Sequence, residues 1–258
     1  DIGLFLDGMA GADRREPYGQ PDPGRPFRDW AERPAMPKRV AWSADLGVTP
    51  VDPEVRRITE AAARRFEAMG AVVEEASPDF SGAHEAFQTL RGVAFATGHD
   101  RHYREHRDKL KPDVIWNIER GHAVTGAELA RANLIRNRMI ENLAGFFETY
   151  DLLLTPATIV QPYAVEDRTV TACDGVEFET YIDWLAIAFA VTLTSAPALS
   201  LPCGFTGDGL PVGLQMVGPL HGEGPLLSHA AALEAELALD LGPIDPRDGP
   251  PPGRPSNP

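Results

Sequence analysis

Nucleophilic catalysis through a hydroxyl needs a serine, a base that takes its proton, and donors for the oxyanion. The chain offers Ser43, Ser77, Ser81, Ser195, Ser200, Ser228 and Ser256. None stands in a Gly-x-Ser-x-Gly elbow or a Ser-x-x-Lys pair, and lysine itself occurs only at Lys38, Lys109 and Lys111. Ser195 and Ser200, on either side of Pro197, draw the eye, but neither has a base beside it. A second candidate is Gly98 to His106. On a helix, His99, His102 and His106 share one face and could meet a single ion. Arg101, Arg104 and Arg107 surround them and oppose a divalent cation, and the same composition suits a solvated helix, so no metal is expected.

Three further candidates have plainer readings. Cys203 has no His, Lys or Arg within several residues to lower its pKa, so it reads as a buried structural thiol. Gly204, Gly207, Gly209 and Gly213 are not a phosphate loop, because no Gly-Lys-Ser/Thr ends the run and no helix begins there. They read as a hairpin with Asp208-Gly209 as its turn. Gln215 alternates with Leu214 and Met216, which points to a hydrogen-bonding role inside a sheet.

The elements that must position these residues can be traced from spacing. Residues 12–37, rich in Pro, Gly and charge, read as an extended surface connection. Arg39 to Ser43 makes a short strand. Asp52 is a good N-cap with Pro53 behind it, and Val55, Ile58, Ala62, Phe66 and Met69 follow at helical spacing up to a stop at Gly70. Val72 and Val73 begin a second strand, parallel to the first. Residues 82–148 look mainly helical, with a capping box at Thr125 to Glu128 and a buried stripe of Leu129, Ala132, Ile135, Met139, Leu143 and Phe146. Leu152 to Leu154 suits a strand covered on both faces. From Leu210 the pattern alternates, with Val212, Leu214 and Met216 on one face. A last helix spans 223–239. The end of the chain, 243–258, is too rich in Pro and Gly to order itself.

Composition excludes several classes. The sequence has 258 residues, 43% hydrophobic and 24% charged, enough chain for a sizeable core. A net charge of −14 argues against a nucleic-acid face. Two cysteines do not make a disulfide scaffold, so a reducing, cytoplasmic setting is the default. No apolar run reaches the roughly 20 residues that span a bilayer. Residues 182–201 come nearest and are interrupted by Asp183, Pro197 and several hydroxyls.

Thr192 to Glu234, TLTSAPALSLPCGFTGDGLPVGLQMVGPLHGEGPLLSHAAALE, resembles the C-terminal end of amidase signature enzymes. Asp1 to Gly11, Val51 to Glu74 and Tyr150 to Pro156 resemble further blocks of that family in the family's order. The resemblance implies an α/β fold with a mixed sheet covered by helices, occupying 37–242 behind a lead-in at 1–36 made of a helix end and an extended loop. It implies hydrolysis of carbon–nitrogen bonds of small carboxamides, in which a lysine relays a proton through one serine to a nucleophilic serine. It implies no cofactor.

In the family both serines and the lysine lie upstream of these blocks, and this chain has no Gly-Gly-Ser-Ser run. The expectation is therefore a C-terminal portion without catalytic residues of its own, inactive alone, whose partners are a small amide and the missing N-terminal half. A start at Asp1 is read as truncation, processing or an incomplete record. Ser195 is expected in a tight turn where relatives usually have glycine, and Ser200 within a strand.

The resemblance also brings Tyr181 to Phe189 near the substrate channel. The expected pocket residues are Trp184, Ile187, Phe189, Thr192 and Thr194, with Trp184 foremost because large aromatics line apolar pockets. Core packing is the competing reading for the same run. Two other functions stay open. A glutamine-hydrolysing subunit of a tRNA-dependent amidotransferase would have Asn-Leu-x-Gly where Thr192 to Ser195 stands. A non-catalytic binding protein could also be built on an amidase remnant.

Overall fold

The apolar runs assemble into a five-stranded mixed sheet, in a computed structural model that describes residues 1–15 and 24–239. Two strands, β1 (Arg39–Trp42) and β2 (Val72–Glu75), run parallel, with Val40 beside Val73. They are joined by α3 (Pro53–Ala68). The Asp52 carboxylate accepts from the Glu54 and Val55 amides at 2.9 and 3.1 Å, so the expected N-cap starts this helix. Its stripe of Val55, Ile58, Ala62 and Phe66 is buried.

Four helices follow: α4 (Ala83–Gly98), α5 (Asp100–His106), α6 (Pro112–Ala123) and α7 (Gly126–Phe146). The capping box at Thr125 is complete, its hydroxyl taking the Glu128 amide while the Glu128 carboxylate takes the Thr125 amide. α4 and α6 touch at Gly92 and Gly121, where a Cβ on Gly121 would stand 1.9 Å from the Gly92 carbonyl oxygen. No larger residue fits there.

The chain then returns through β3 (Leu152–Pro156), parallel to β1 and buried at every position, as its unbroken apolar run requires. A small ladder, β4 (Ala172–Cys173) with β5 (Val176–Glu177), precedes α8 (Ala186–Thr194). Next come β6 (Ala198–Phe205) and β7 (Pro211–Val217), antiparallel to each other, with β7 also antiparallel to β3. Strand order is β2-β1-β3-β7-β6. The β6–β7 turn closes with Thr206 N to Leu210 O at 2.8 Å and Gly209 at φ 79°, the hairpin read from Asp208-Gly209. Along β7, Leu214 and Met216 face one side and Gln215 the other, and all three are buried. Both faces of the sheet are therefore covered. The last helix, α9 (Glu223–Leu237), packs on α3 and β6.

The lead-in differs from expectation in its second part. Residues 1–15 open with α1 (Ile2–Met9), and part of the segment read as extended forms α2 (Phe27–Glu32). Two tertiary contacts, invisible to local pattern, account for α2. Asp7 of α1 accepts from the Phe27 and Arg28 amides and so caps the helix start. The Trp30 indole lies against Gly224 of α9, where a Cβ would stand only 2.6 Å from the ring. The centre of that lead-in and the Pro/Gly-rich end of the chain lie outside the described residues.

Candidate functional site

Three parallel strands deliver their outgoing segments to one region. The segment after β1 supplies Val48 to Pro50, α4 follows β2, and residues 176–183 follow β3. Together they enclose a cavity of about 480 Å³ whose walls include His84, Gln88, Phe178, Thr180 and Asp183. The carboxyl ends of parallel strands, where neighbouring segments diverge, are where open α/β sheets place ligands.

Asp183 organises this cavity. One carboxylate oxygen accepts from the Thr180 amide at 2.7 Å and the other from the Gln88 side-chain nitrogen at 3.2 Å. His84 Nδ1 stands 4.0 Å from the same carboxylate. Its Nε2 lies 2.9 Å from the Val48 carbonyl oxygen, which can only accept, so the proton sits on Nε2. Behind the wall, Arg91 and Asn117 both reach the Tyr181 hydroxyl, at 3.0 and 2.6 Å, and tie residues 180–183 to α4 and α6.

The five expected pocket residues do not converge. Trp184, in a 3₁₀ turn just before α8, is partly buried and stands edge-on to Tyr163, with ring centres 5.9 Å apart. Phe189 is buried, stacked on Phe87 at 4.1 Å and edge-on to His84, which puts it behind the cavity wall. Ile187 is buried and its carbonyl accepts from Gln215, the in-sheet role expected of that glutamine. Thr194 is fully buried, its hydroxyl bonded to the Val191 carbonyl. Thr192 is exposed and bonds back to Ala188.

The end of α8 is a built turn. Ser195 has φ 60°, a left-handed conformation that favours glycine. Arg136, reaching over from α7, donates to the Leu193 carbonyl and to the Ser195 hydroxyl, both at 3.0 Å. A guanidinium cannot take a proton from that hydroxyl. Ser200 lies exposed on β6. Among the described residues, no lysine, histidine or carboxylate is hydrogen-bonded to either serine. Cys203 is buried, and burial pushes its thiol up to about 12, which leaves it protonated and inert near neutrality.

The three histidines do not ride one helix. His99 is the break between α4 and α5, and its ring lies 6.2 Å from that of His102. The neighbouring arginines pair with Asp100 and Glu105. Among the described residues, no three His, Cys, Asp or Glu side chains are placed to share an ion. No described helix is long and apolar enough to cross a membrane.

Sequence reading passed over His84, Gln88, Phe178 and Thr180. One local signal was present: Asp174-Gly175, both at positive φ, is a hairpin turn that fixes the β4–β5 ladder and so the cavity's outer wall.

A family model described as Amidase matches residues 1–227. The chain belongs to the amidase family. Its curated amidase relatives include an acylamidase of Rhodococcus erythropolis, 29% identical over 238 residues, which span 91% of this chain and 50% of that protein. A glutamyl-tRNA(Gln) amidotransferase subunit from Streptococcus pyogenes serotype M28 is 29% identical over 72% of this chain and 42% of its own length. Among solved structures, a bacterial aryl acylamidase of the amidase signature family superposes with a TM-score of 0.81 at 22% identity, over 91% of this chain and 50% of that one. A 6-aminohexanoate cyclic dimer hydrolase gives 0.80 at 24% identity, over 93% and 53%. The α/β mixed-sheet fold is thus the amidase one. This amidase chain spans about half the length of the curated relatives it matches.

Proposed function

We propose that this chain is the C-terminal portion of an amidase that hydrolyses carbon–nitrogen bonds of small carboxamides through an acyl-enzyme. In that reading it supplies a substrate-pocket wall and sheet strands, while the lysine base and both catalytic serines come from an N-terminal half. The observation that carries it is the cavity walled by segments that follow β1, β2 and β3, which combines apolar side chains such as Val48 and Phe178 with polar and charged ones such as His84, Gln88 and Asp183, in a chain of this family. The hydrogen bond from Arg136 to Ser195 supports a nucleophile elsewhere, since a nucleophile needs a base and this serine faces a fixed cation. In this reading Trp184, edge-on to Tyr163, and the exposed Thr192 would meet substrate once the other half is present. Two free, buried cysteines fit a reducing, cytoplasmic setting.

The test is ammonia release from aliphatic and aromatic amides. The chain alone should give none above a buffer blank. Co-expression with an upstream amidase half bearing the Lys and both signature serines should create turnover. Ammonia release by the lone chain that Ser195→Ala or Ser200→Ala abolishes would overturn the reading. A lone chain that unfolds cooperatively and gains nothing from the partner would favour a stand-alone binding protein.

A further inference from the structure

The outer wall of the cavity is held less firmly than its base. The base, residues 180–183, is tied to α4 and α6: Gln88 donates to Asp183 and to the Thr180 hydroxyl, while Arg91 and Asn117 reach the Tyr181 hydroxyl. The wall is the hairpin 171–178, closed by the ladder of β4 with β5 and by the Phe178 amide on the Thr171 carbonyl at 2.8 Å. Val176, Glu177 and Phe178 of this hairpin line the cavity. From 162 to 179 Cys173 alone is buried, whereas the segment leaving β1 buries Ser43, Ala44, Leu46 and Val51. The Cys173 thiol donates to the Ile159 carbonyl at 3.4 Å, and the same carbonyl takes the Asp52 amide at the start of α3. Phe178 is half-buried and rests on the core. Among the described residues, no other side chain of the hairpin is hydrogen-bonded to the body. At its root the Thr169 hydroxyl donates to the Tyr181 carbonyl at 3.1 Å, which draws the two legs together, and Arg168, paired with Asp113 of α6, stands just outside. A segment with few buried contacts and exposed backbone bonds opens at lower free energy than the core around it. The ladder bonds lie inside the hairpin and travel with it, so lifting it unseats Cys173 and Phe178 and leaves the main sheet whole.

We propose that the hairpin 171–178 is a lid on the cavity, hinged at Thr169 and Thr180 and latched by Cys173, which lifts to admit ligand and carries Phe178 with it. This deepens the proposed function by naming what controls access to its cavity, and it rests on the assignment of that cavity to substrate.

The buried thiol reports the motion, since Cys173 reacts only while the lid is up. The 258-residue chain is treated with iodoacetamide, and alkylation at Cys173 is followed by peptide mass spectrometry. Urea below the unfolding transition should leave the Cys173 rate unchanged, because a local opening exposes little surface. Leu153→Ala, which destabilises the whole chain, should change that rate by no more than about twofold. Gly175→Val, at φ 77° in the tip and with open space around it, strains the turn and should speed alkylation about tenfold with little change in the unfolding midpoint. Benzamide near saturation should slow alkylation about fivefold or more, as a ligand held under a closed lid must. A Cys173 rate that climbs with urea and with Leu153→Ala, in step with global unfolding, would overturn the proposal. So would a rate that Gly175→Val leaves unchanged. Local opening that benzamide does not slow would overturn the lid and leave the reconstitution test untouched. Because alkylation of the lone chain needs no turnover, failure to reconstitute activity would sink the amidase reading and leave the lid standing.

Discussion

The two edges of the sheet are built differently. β2 is four residues long and ends in Glu74 and Glu75, with Arg39 of β1 paired to Glu74. Short, charged edge strands resist further pairing. β6 is eight residues long, Ala198 to Phe205, and carries no charge. Pro202 and a bulge between Pro202 and Gly204 interrupt only its second half. Apolar exposure is uneven too: on α1, Ile2, Leu4, Phe5 and Met9 are each more than half exposed, whereas the stripe of α3 is buried. One side of the molecule is finished. In the proposed reading, the β6 edge and the exposed side chains of α1 are what the other half would cover.

The largest expected effect comes from spoiling the open edge. Ala198→Lys, at an exposed position of β6, should return the reconstituted amidase activity to background, because a charge there blocks strand addition. Val72→Lys, at an exposed position of β2, should leave that activity unchanged. Ammonia release by the two co-expressed pairs makes the comparison. If both substitutions act alike, the edges are equivalent and the covering half docks elsewhere.

Core truncation gives the next largest effect. Leu153→Ala, on β3 where nothing is exposed, should cost roughly 2–5 kcal/mol of stability in the lone chain. Phe5→Ala on α1 should stay within about 0.5 kcal/mol, as exposed positions do. Denaturant unfolding of the lone chain measures both. Once the other half is present, Phe5→Ala should become costly, since burial on association gives the ring something to lose. A large loss from Phe5→Ala in the lone chain would mean that α1 is already packed there.

What was legible in the sequence follows the same division. Local signals placed the elements they control: Asp52-Pro53 began α3, Thr125 to Glu128 began α7, the apolar run at Leu152 marked a strand covered on both faces, and Asp208-Gly209 turned β6 into β7. The family was legible as well, since the blocks quoted for it fall almost wholly within the matched residues. The α2 helix was not, because Asp7 and Gly224, distant in sequence, supply its cap and its seat. The cavity was hard to see for a similar reason. Gln88 and Asp183 are 95 positions apart and meet only once the strands are laid side by side. Of the aromatic run singled out at 181–189, α8 turns Ile187 and Phe189 into the protein, leaving Trp184 nearest to solvent among those three.

The smallest expected effect concerns the finished side. Asp52 caps α3 through two amides and also lies 3.3 Å from the Gln161 side-chain nitrogen, so it links the helix start to the segment after β3. Asp52→Ala should cost about 1 kcal/mol, the usual worth of such a cap, raised if the Gln161 contact contributes. Asp52→Asn keeps an accepting oxygen and should recover most of the loss. Both act at the start of α3, which packs across the face of the sheet from β2 to β6 without pairing with the open edge of β6, so neither should change how well the other half restores turnover once protein concentration is matched. Urea unfolding midpoints and reconstituted ammonia release, measured on the same preparations, separate the two quantities. If Asp52→Ala lowered reconstitution more than stability, α3 and the β6 edge would be coupled, and the division between a finished side and an open one would fail.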